Sequence, residues 1–147
     1  MIFVPVKKLD ENAIVPTYAH DGDAGADLYS NENITIMPNG GFNLVGTGIS
    51  LAIPEGYVGL VHPRSGLAAR QGVTVLNAPG TVDSGYRGEI KVNLINHSFL
   101  PVDIRKGYRI AQIVFQAYER GQFVVTADLD KTIRNENGHG STGGFDG

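Results

Sequence analysis

Residues 89–94 alternate strictly: Glu89, Lys91 and Asn93 fall on one side of an extended chain, and Ile90, Val92 and Leu94 on the other. Short runs with this period-two pattern recur along the sequence, and they constrain the fold more than any other feature. They predict strands over 2–6, 33–37, 43–53, 57–62, 73–76, 88–96, 109–117 and 122–126. Turn signals stand between them at strand-like spacing: Pro38-Asn39-Gly40-Gly41, Pro54-Glu55-Gly56, Asp83-Ser84-Gly85 and Lys106-Gly107. Ser65 to Gln71 alone has the makings of a helical turn or two. Many short strands with glycine-rich turns mean a sandwich, barrel or jelly roll. The reading is all-β: one domain of jelly-roll or β-barrel-like form.

A length of 147 residues suits one domain with a real core. Apolar residues at 41% and the absence of cysteine exclude disorder and a disulfide scaffold. A net charge of -3 excludes nucleic-acid binding driven by bulk charge. No apolar run approaches the roughly 18 residues of a membrane span. The lysines of Met1-Ile2-Phe3-Val4-Pro5-Val6-Lys7-Lys8 follow the apolar stretch, the reverse of a signal peptide, so a cytoplasmic location is expected. Glycine is the outlier, with 20 residues, and 138–147 holds five of them. So little apolar surface cannot offset ordering entropy, and this tail is expected to be flexible, either frayed or ordered over a ligand.

Familiar motifs fail on context. Gly138-His139-Gly140-Ser141-Thr142-Gly143 spells a dinucleotide fingerprint but leaves no room for the helix that motif needs. Asp21, Asp23 and Asp27 lack the turn glycine of a calcium loop, and His20, His62, His97 and His139 lack metal-ligand spacing. There is no P-loop, H-E-x-x-H or G-x-S-x-G.

Four clusters carry more chemistry than packing requires. In Asp23-Ala24-Gly25-Ala26-Asp27-Leu28-Tyr29, small residues allow close backbone approach beside a carboxylate; an ordinary turn into a strand is the competing account. His62-Pro63-Arg64-Ser65-Gly66-Leu67-Ala68 offers an arginine, a hydroxyl and amides at a helix start, either an anion site or a Ser65 N-cap beside a solvated arginine. Asn77 to Glu89 reads as a hairpin presenting Asn77, Asp83 and Tyr86, and a plain Asp-Ser-Gly turn leaves Asn77 and Tyr86 unaccounted for. In Arg109-Ile110-Ala111-Gln112-Ile113-Val114-Phe115 the glutamine interrupts an apolar run, as an edge position or as a buried amide needing partners.

In order and spacing these segments resemble the trimeric dUTPase family over nearly the whole chain. The five family motifs appear as Ala24-Gly25-Ala26-Asp27-Leu28, Pro63-Arg64-Ser65-Gly66-Leu67-Ala68, Gly80-Thr81-Val82-Asp83-Ser84-Gly85-Tyr86-Arg87-Gly88, Arg109-Ile110-Ala111-Gln112, and Arg134 through Gly143. The resemblance implies a β jelly roll over 1–133, a C-terminal arm over 134–147 that closes on an active site, and a homotrimer with sites shared between subunits. It implies hydrolysis of dUTP to dUMP and pyrophosphate, supplying dUMP for thymidylate synthesis and keeping uracil out of DNA.

By position, the resemblance implies that Asp83 is the catalytic residue that activates the attacking water. A free carboxylate, with pKa about 3.9, is a weak base, so positioning and Mg²⁺ carry much of the rate. Mg²⁺ is expected chiefly on the substrate phosphates, with Asp27 in contact through water. Arg64, Ser65, Gly66 and Gln112 are expected on the phosphates and Arg134 on the terminal one. The backbone of Gly80, Thr81, Val82 and Asp83, with the Asn77 amide, is expected on the uracil edge, Tyr86 under the deoxyribose, and Lys91 within reach of the ligand. His139 takes the place of the usual stacking phenylalanine, with Gly140 and Ser141 beside it in the fifth motif. Asn135 and Asn137 replace two usual glycines.

The nearest rival is dCTP deaminase, whose working glutamate would fall at Asn93, a residue that cannot serve as acid or base. A non-catalytic jelly roll would leave Asp83, Tyr86, Gln112 and Arg134 as coincidences.

Overall fold

A computed structural model describes residues 1–136. The strands are β1 (Val6–Lys8), β2 (Gly25–Tyr29), β3 (Ile34–Ile36), β4 (Gly41–Leu51), β5 (Tyr57–His62), β6 (Val73–Val75), β7 (Gly80–Val82), β8 (Glu89–Asn96), β9 (Val102–Ile104) and β10 (Arg109–Ala117). One helix, α1 (Ser65–Gln71), follows β5. Two four-stranded sheets, β1-β4-β8-β6 and β2-β10-β5-β7, and a two-stranded ladder, β3-β9, are all antiparallel. This is the jelly roll expected of the sequence.

One core joins the layers. Val45, Ile49, Ile90, Val92 and Leu94 of the first sheet meet Leu28, Val61, Ile110 and Ile113 of the second, with Ile36 and Ile104 from the small ladder. The alternation of β8 is kept: Ile90, Val92 and Leu94 are buried, whereas Lys91 is exposed. Asn96 is a fully buried polar residue. Its Nδ2 donates to the carbonyls of Ile36 and Leu100, and its Oδ1 accepts from the Ser98 amide.

Several expectations need correction. Strand 2–6 lies later, at Val6–Lys8. The segment 23–29 contains a strand, β2, that apolar patterning misses, because Gly25 and Ala26 leave Leu28 as its single large aliphatic side chain. β7 and β9 are too short for a pattern to show. Segment 122–126 forms no strand within the chain, although Phe123, Val124 and Val125 are exposed. Residues 77–89 do not close a hairpin either. β7 pairs with β5 and β8 with β4 and β6, so 83–88 crosses from one sheet to the other. Among the described residues, no helix is long and apolar enough to cross a membrane.

Candidate active site

The outer face of the second sheet carries a polar row. Gln112 of β10 stands in register with Asp27 of β2 on one side and His62 of β5 on the other. All three belong to the outward parity, since their neighbours Ala26, Leu28, Val61, Ala111 and Ile113 fill the core. Gln112 is therefore central, not at an edge, and its Nε2 donates to the Pro63 carbonyl at 3.1 Å. Gly25 is what admits it: a β-carbon there would collide with the Gln112 carboxamide. The small residues of the first motif thus make room for a side chain of the fourth.

Asp27 is only 9% exposed, covered by two arginines. Arg64 Nε lies 3.1 Å from Oδ1, and Arg109 Nε lies 3.4 Å from Oδ2. Arg64 Nη1 also donates to the Arg109 carbonyl at 3.3 Å. Arg64 occupies the N-cap position of α1 in extended conformation, with no side-chain cap. Ser65 is consequently the first helical residue rather than the cap, and Arg64 is tied to a carboxylate rather than solvated. A cleft of about 480 Å³ opens here, lined by Asp27, His62, Arg64, Ser65, Gly66 and Gln112 with Ala19, Asp23, Ala24, Gly25 and Val114. Forked donors and the leading amides of a helix fit an anion.

A second cleft of about 310 Å³ is lined by Leu44, Thr81, Val82, Asp83, Tyr86, Glu89, Ile90 and Lys91. Asp83 is exposed at the start of a turn in which its carbonyl accepts from the Tyr86 amide. The Tyr86 ring lies over Gly88 and its hydroxyl donates to the Glu89 carbonyl at 3.0 Å. Asn77 sits against Gly80. Lys91 faces Glu89 at 3.6 Å. Asn93, one turn of the alternation further along β8, has an enclosed Oδ1 without a hydrogen-bond partner.

The two clefts share no lining residue. β7 runs antiparallel to β5 with Val82 opposite Gly59, so Asp83 lies beyond the first half of β5 whereas His62 and Arg64 lie at its far end. That separates the halves by about 13 Å along the strand direction alone. Arg134 is described but lines neither cleft; His139, Gly140, Ser141 and Asn137 lie outside the described residues. Arg109 and His62 carry no role that the motifs alone indicate, and the in-register pairing of β10 is what reveals them.

Fold and clefts together define a β jelly-roll protein whose sheet surface carries an anion cleft and, apart from it, a carboxylate–tyrosine pocket. The dUTPase family model matches residues 11–143. The chain is 55% identical over 142 residues to the deoxyuridine 5'-triphosphate nucleotidohydrolase of Nocardia farcinica, spanning 96% of this chain and 86% of that one. A variant dUTPase of Staphylococcus bacteriophage 80alpha, solved with dUpNHpp, superposes with a TM-score of 0.89 at 27% identity, covering 97% of this chain and 99% of that one. A variant dUTPase from phage phi11 of S. aureus, described with a structural Mg(II) ion, matches with a TM-score of 0.80 at 24% identity, over 88% of this chain and all (100%) of the other. The chain belongs to the dUTPase family.

Proposed function

We propose that the protein is a dUTP diphosphatase that hydrolyses dUTP to dUMP and pyrophosphate by water attack on the α-phosphorus. The family match over residues 11–143 carries this reading. The reaction would supply dUMP for thymidylate synthesis and keep uracil out of DNA.

In this reading Arg64, Ser65, Gly66 and Gln112 hold the triphosphate in the larger cleft, whose lining supports the assignment. Arg134 is assigned to the terminal phosphate and His139 to the base, with Gly140 and Ser141 also on the substrate. Main-chain groups of Gly80 to Asp83, with the Asn77 amide, read the uracil edge. Tyr86 packs under the deoxyribose and closes off the space a 2′-hydroxyl would need. Asp83 orients the attacking water and accepts its proton, while Lys91 borders the pocket. Asn93 stands where deamination would need an acid or base and has none to offer.

The donor set fits Mg²⁺ only indirectly. Both oxygens of Asp27 already face guanidinium groups, and among the described residues no three His, Cys, Asp or Glu side chains gather. Asp27 therefore suits contact through a metal-bound water, with the ion held by phosphate oxygens. When bound, the ion neutralises charge on the triphosphate.

The separation of the clefts supports a homotrimer in which each site is completed between subunits. So does 122–126, a strand-like run with its apolar side chains exposed: Phe123 and Val125 bury almost nothing in one chain. A second copy would supply the missing sheet edge. The C-terminal segment from 134 is assigned as the arm that covers the site.

The direct test is Asp83→Asn. It should retain binding of dUpNHpp and lose hydrolysis by at least about a hundredfold, as for a positioned general base. Turnover equal to the unaltered enzyme would contradict the assignment.

A further inference from the structure

Arg109 lies outside every role assigned above, yet its placement is specific. A regular strand would put Arg109 and Gln112, three residues apart, on opposite faces. β10 instead shifts register between Arg109 and Ala111: Arg109 stands opposite Tyr29 while Gln112 stands opposite Asp27. The extra residue, Ile110, is buried in the core. The bulge thereby brings Arg109 onto the outward face with Gln112 and sets it beside Asp27, which lines the cleft. Its guanidinium sits 6.0 Å above the Tyr29 ring and its Nε faces Asp27 Oδ2 at 3.4 Å. Tyr29 is itself anchored by a 2.6 Å hydrogen bond between its hydroxyl and Thr17 Oγ1.

Asp27 is shared. Arg64 takes Oδ1 and Arg109 takes Oδ2. An arginine that turns toward a triphosphate must give up at least part of its hold on a nearby carboxylate. That would leave a largely covered Asp27 facing a polyanion, and like charges at such range repel strongly. Arg109 has the position to prevent this. We propose that Arg109 is a positioning residue for nucleotide binding, holding and neutralising Asp27 so that Arg64 is released to the substrate phosphates. Without Arg109, the carboxylate retains Arg64, and the enzyme meets its substrate with that donor withheld. The inference rests on the assignment of the larger cleft to the triphosphate.

Steady-state pyrophosphate release from dUTP with Mg²⁺ tests it. Arg109→Leu should raise KM at least about tenfold, the range for breaking a covered charge pair, with kcat changed far less. Arg109→Lys, which keeps the charge, should recover most of that loss. In an Asp27→Asn background the Arg109→Leu change should add little to KM, because the carboxylate it compensates is gone. Thermal unfolding of each variant separates a folding defect from a binding one. An unchanged KM in Arg109→Leu overturns the proposal. So does a parallel fall in stability and kcat that Lys does not rescue, which marks a purely structural residue. The full KM penalty persisting in the Asp27→Asn background also overturns it, since Arg109 would then touch the nucleotide itself. Absence of dUTP hydrolysis by the unaltered protein would instead strike the functional assignment, so the two failures are distinguishable.

Discussion

Gln112 illustrates what single residues disclose. An amide within an apolar run raises a question of partners, and the answer lies across two strands: Gly25 clears the space and the Pro63 carbonyl accepts its hydrogen bond. Gly25→Ala should displace Gln112 and raise KM for dUTP by about ten- to a hundredfold, the effect of misplacing a phosphate contact by an ångström or so. Steady-state kinetics checks it, and an unchanged KM would mean that Gln112 has no part in binding. Residue types alone showed that Arg64, Ser65 and the Gly66 amide suit an anion. They could not show that Asp27 holds two arginines, because the second reaches it through a bulge that leaves no mark in the spacing. Asn77, Asp83 and Tyr86 were legible as candidates because a plain turn left two of them unexplained.

At the scale of elements, β5, β10 and α1 have the bounds that the sequence predicts, since clear apolar runs or breakers mark both ends. β2 was hidden because Gly25 and Ala26 carry too little apolar surface to mark a strand, and its outward Asp27 is buried only by arginines from elsewhere. β7 and β9, three residues each, hold their places through pairing partners distant in sequence. The loop before β2 and the turn after β9 are fastened by Asp10, which accepts from Asn31 Nδ2 at 2.9 Å, from the Asn12 amide at 2.8 Å and from Lys106 Nζ at 3.0 Å. These hydrogen bonds, led by that of Asn31, hold its carboxyl well below the usual carboxylate range. A folded pKa below the unfolded one gives stability that is present above the unfolded value, about 3.9, and is lost as pH falls below it. Asp10→Asn should therefore narrow the stability difference between pH 6 and pH 3, as read by thermal unfolding. An identical acid dependence in the variant would remove Asp10 from the account.

The whole molecule looks incomplete as a single chain. Its two clefts share no lining residue, and a strand-like run at 122–126 has no strand partner among the described residues. No sequence pattern distinguishes a strand that pairs within its own chain from one that pairs with another copy, which is why that run was expected as an ordinary strand. If sites form between subunits, two inactive variants should complement each other. Asp83→Asn mixed and refolded with Arg64→Ala should regain dUTP hydrolysis, because some mixed trimers contain a site with neither defect. Activity that stays at the level of the separate variants would place both residues in one chain's own site.

As a dUTP diphosphatase, this chain should turn over dUTP and discriminate it from its neighbours. Pyrophosphate release from dUTP, dCTP, dTTP and UTP, each with Mg²⁺, tests it most directly. Release is expected from dUTP alone, with cytosine rejected by the backbone of Gly80 to Asp83, the thymine methyl by the pocket floor, and the ribose by Tyr86. Folded protein that released pyrophosphate from none of the four, or from all alike, would contradict it.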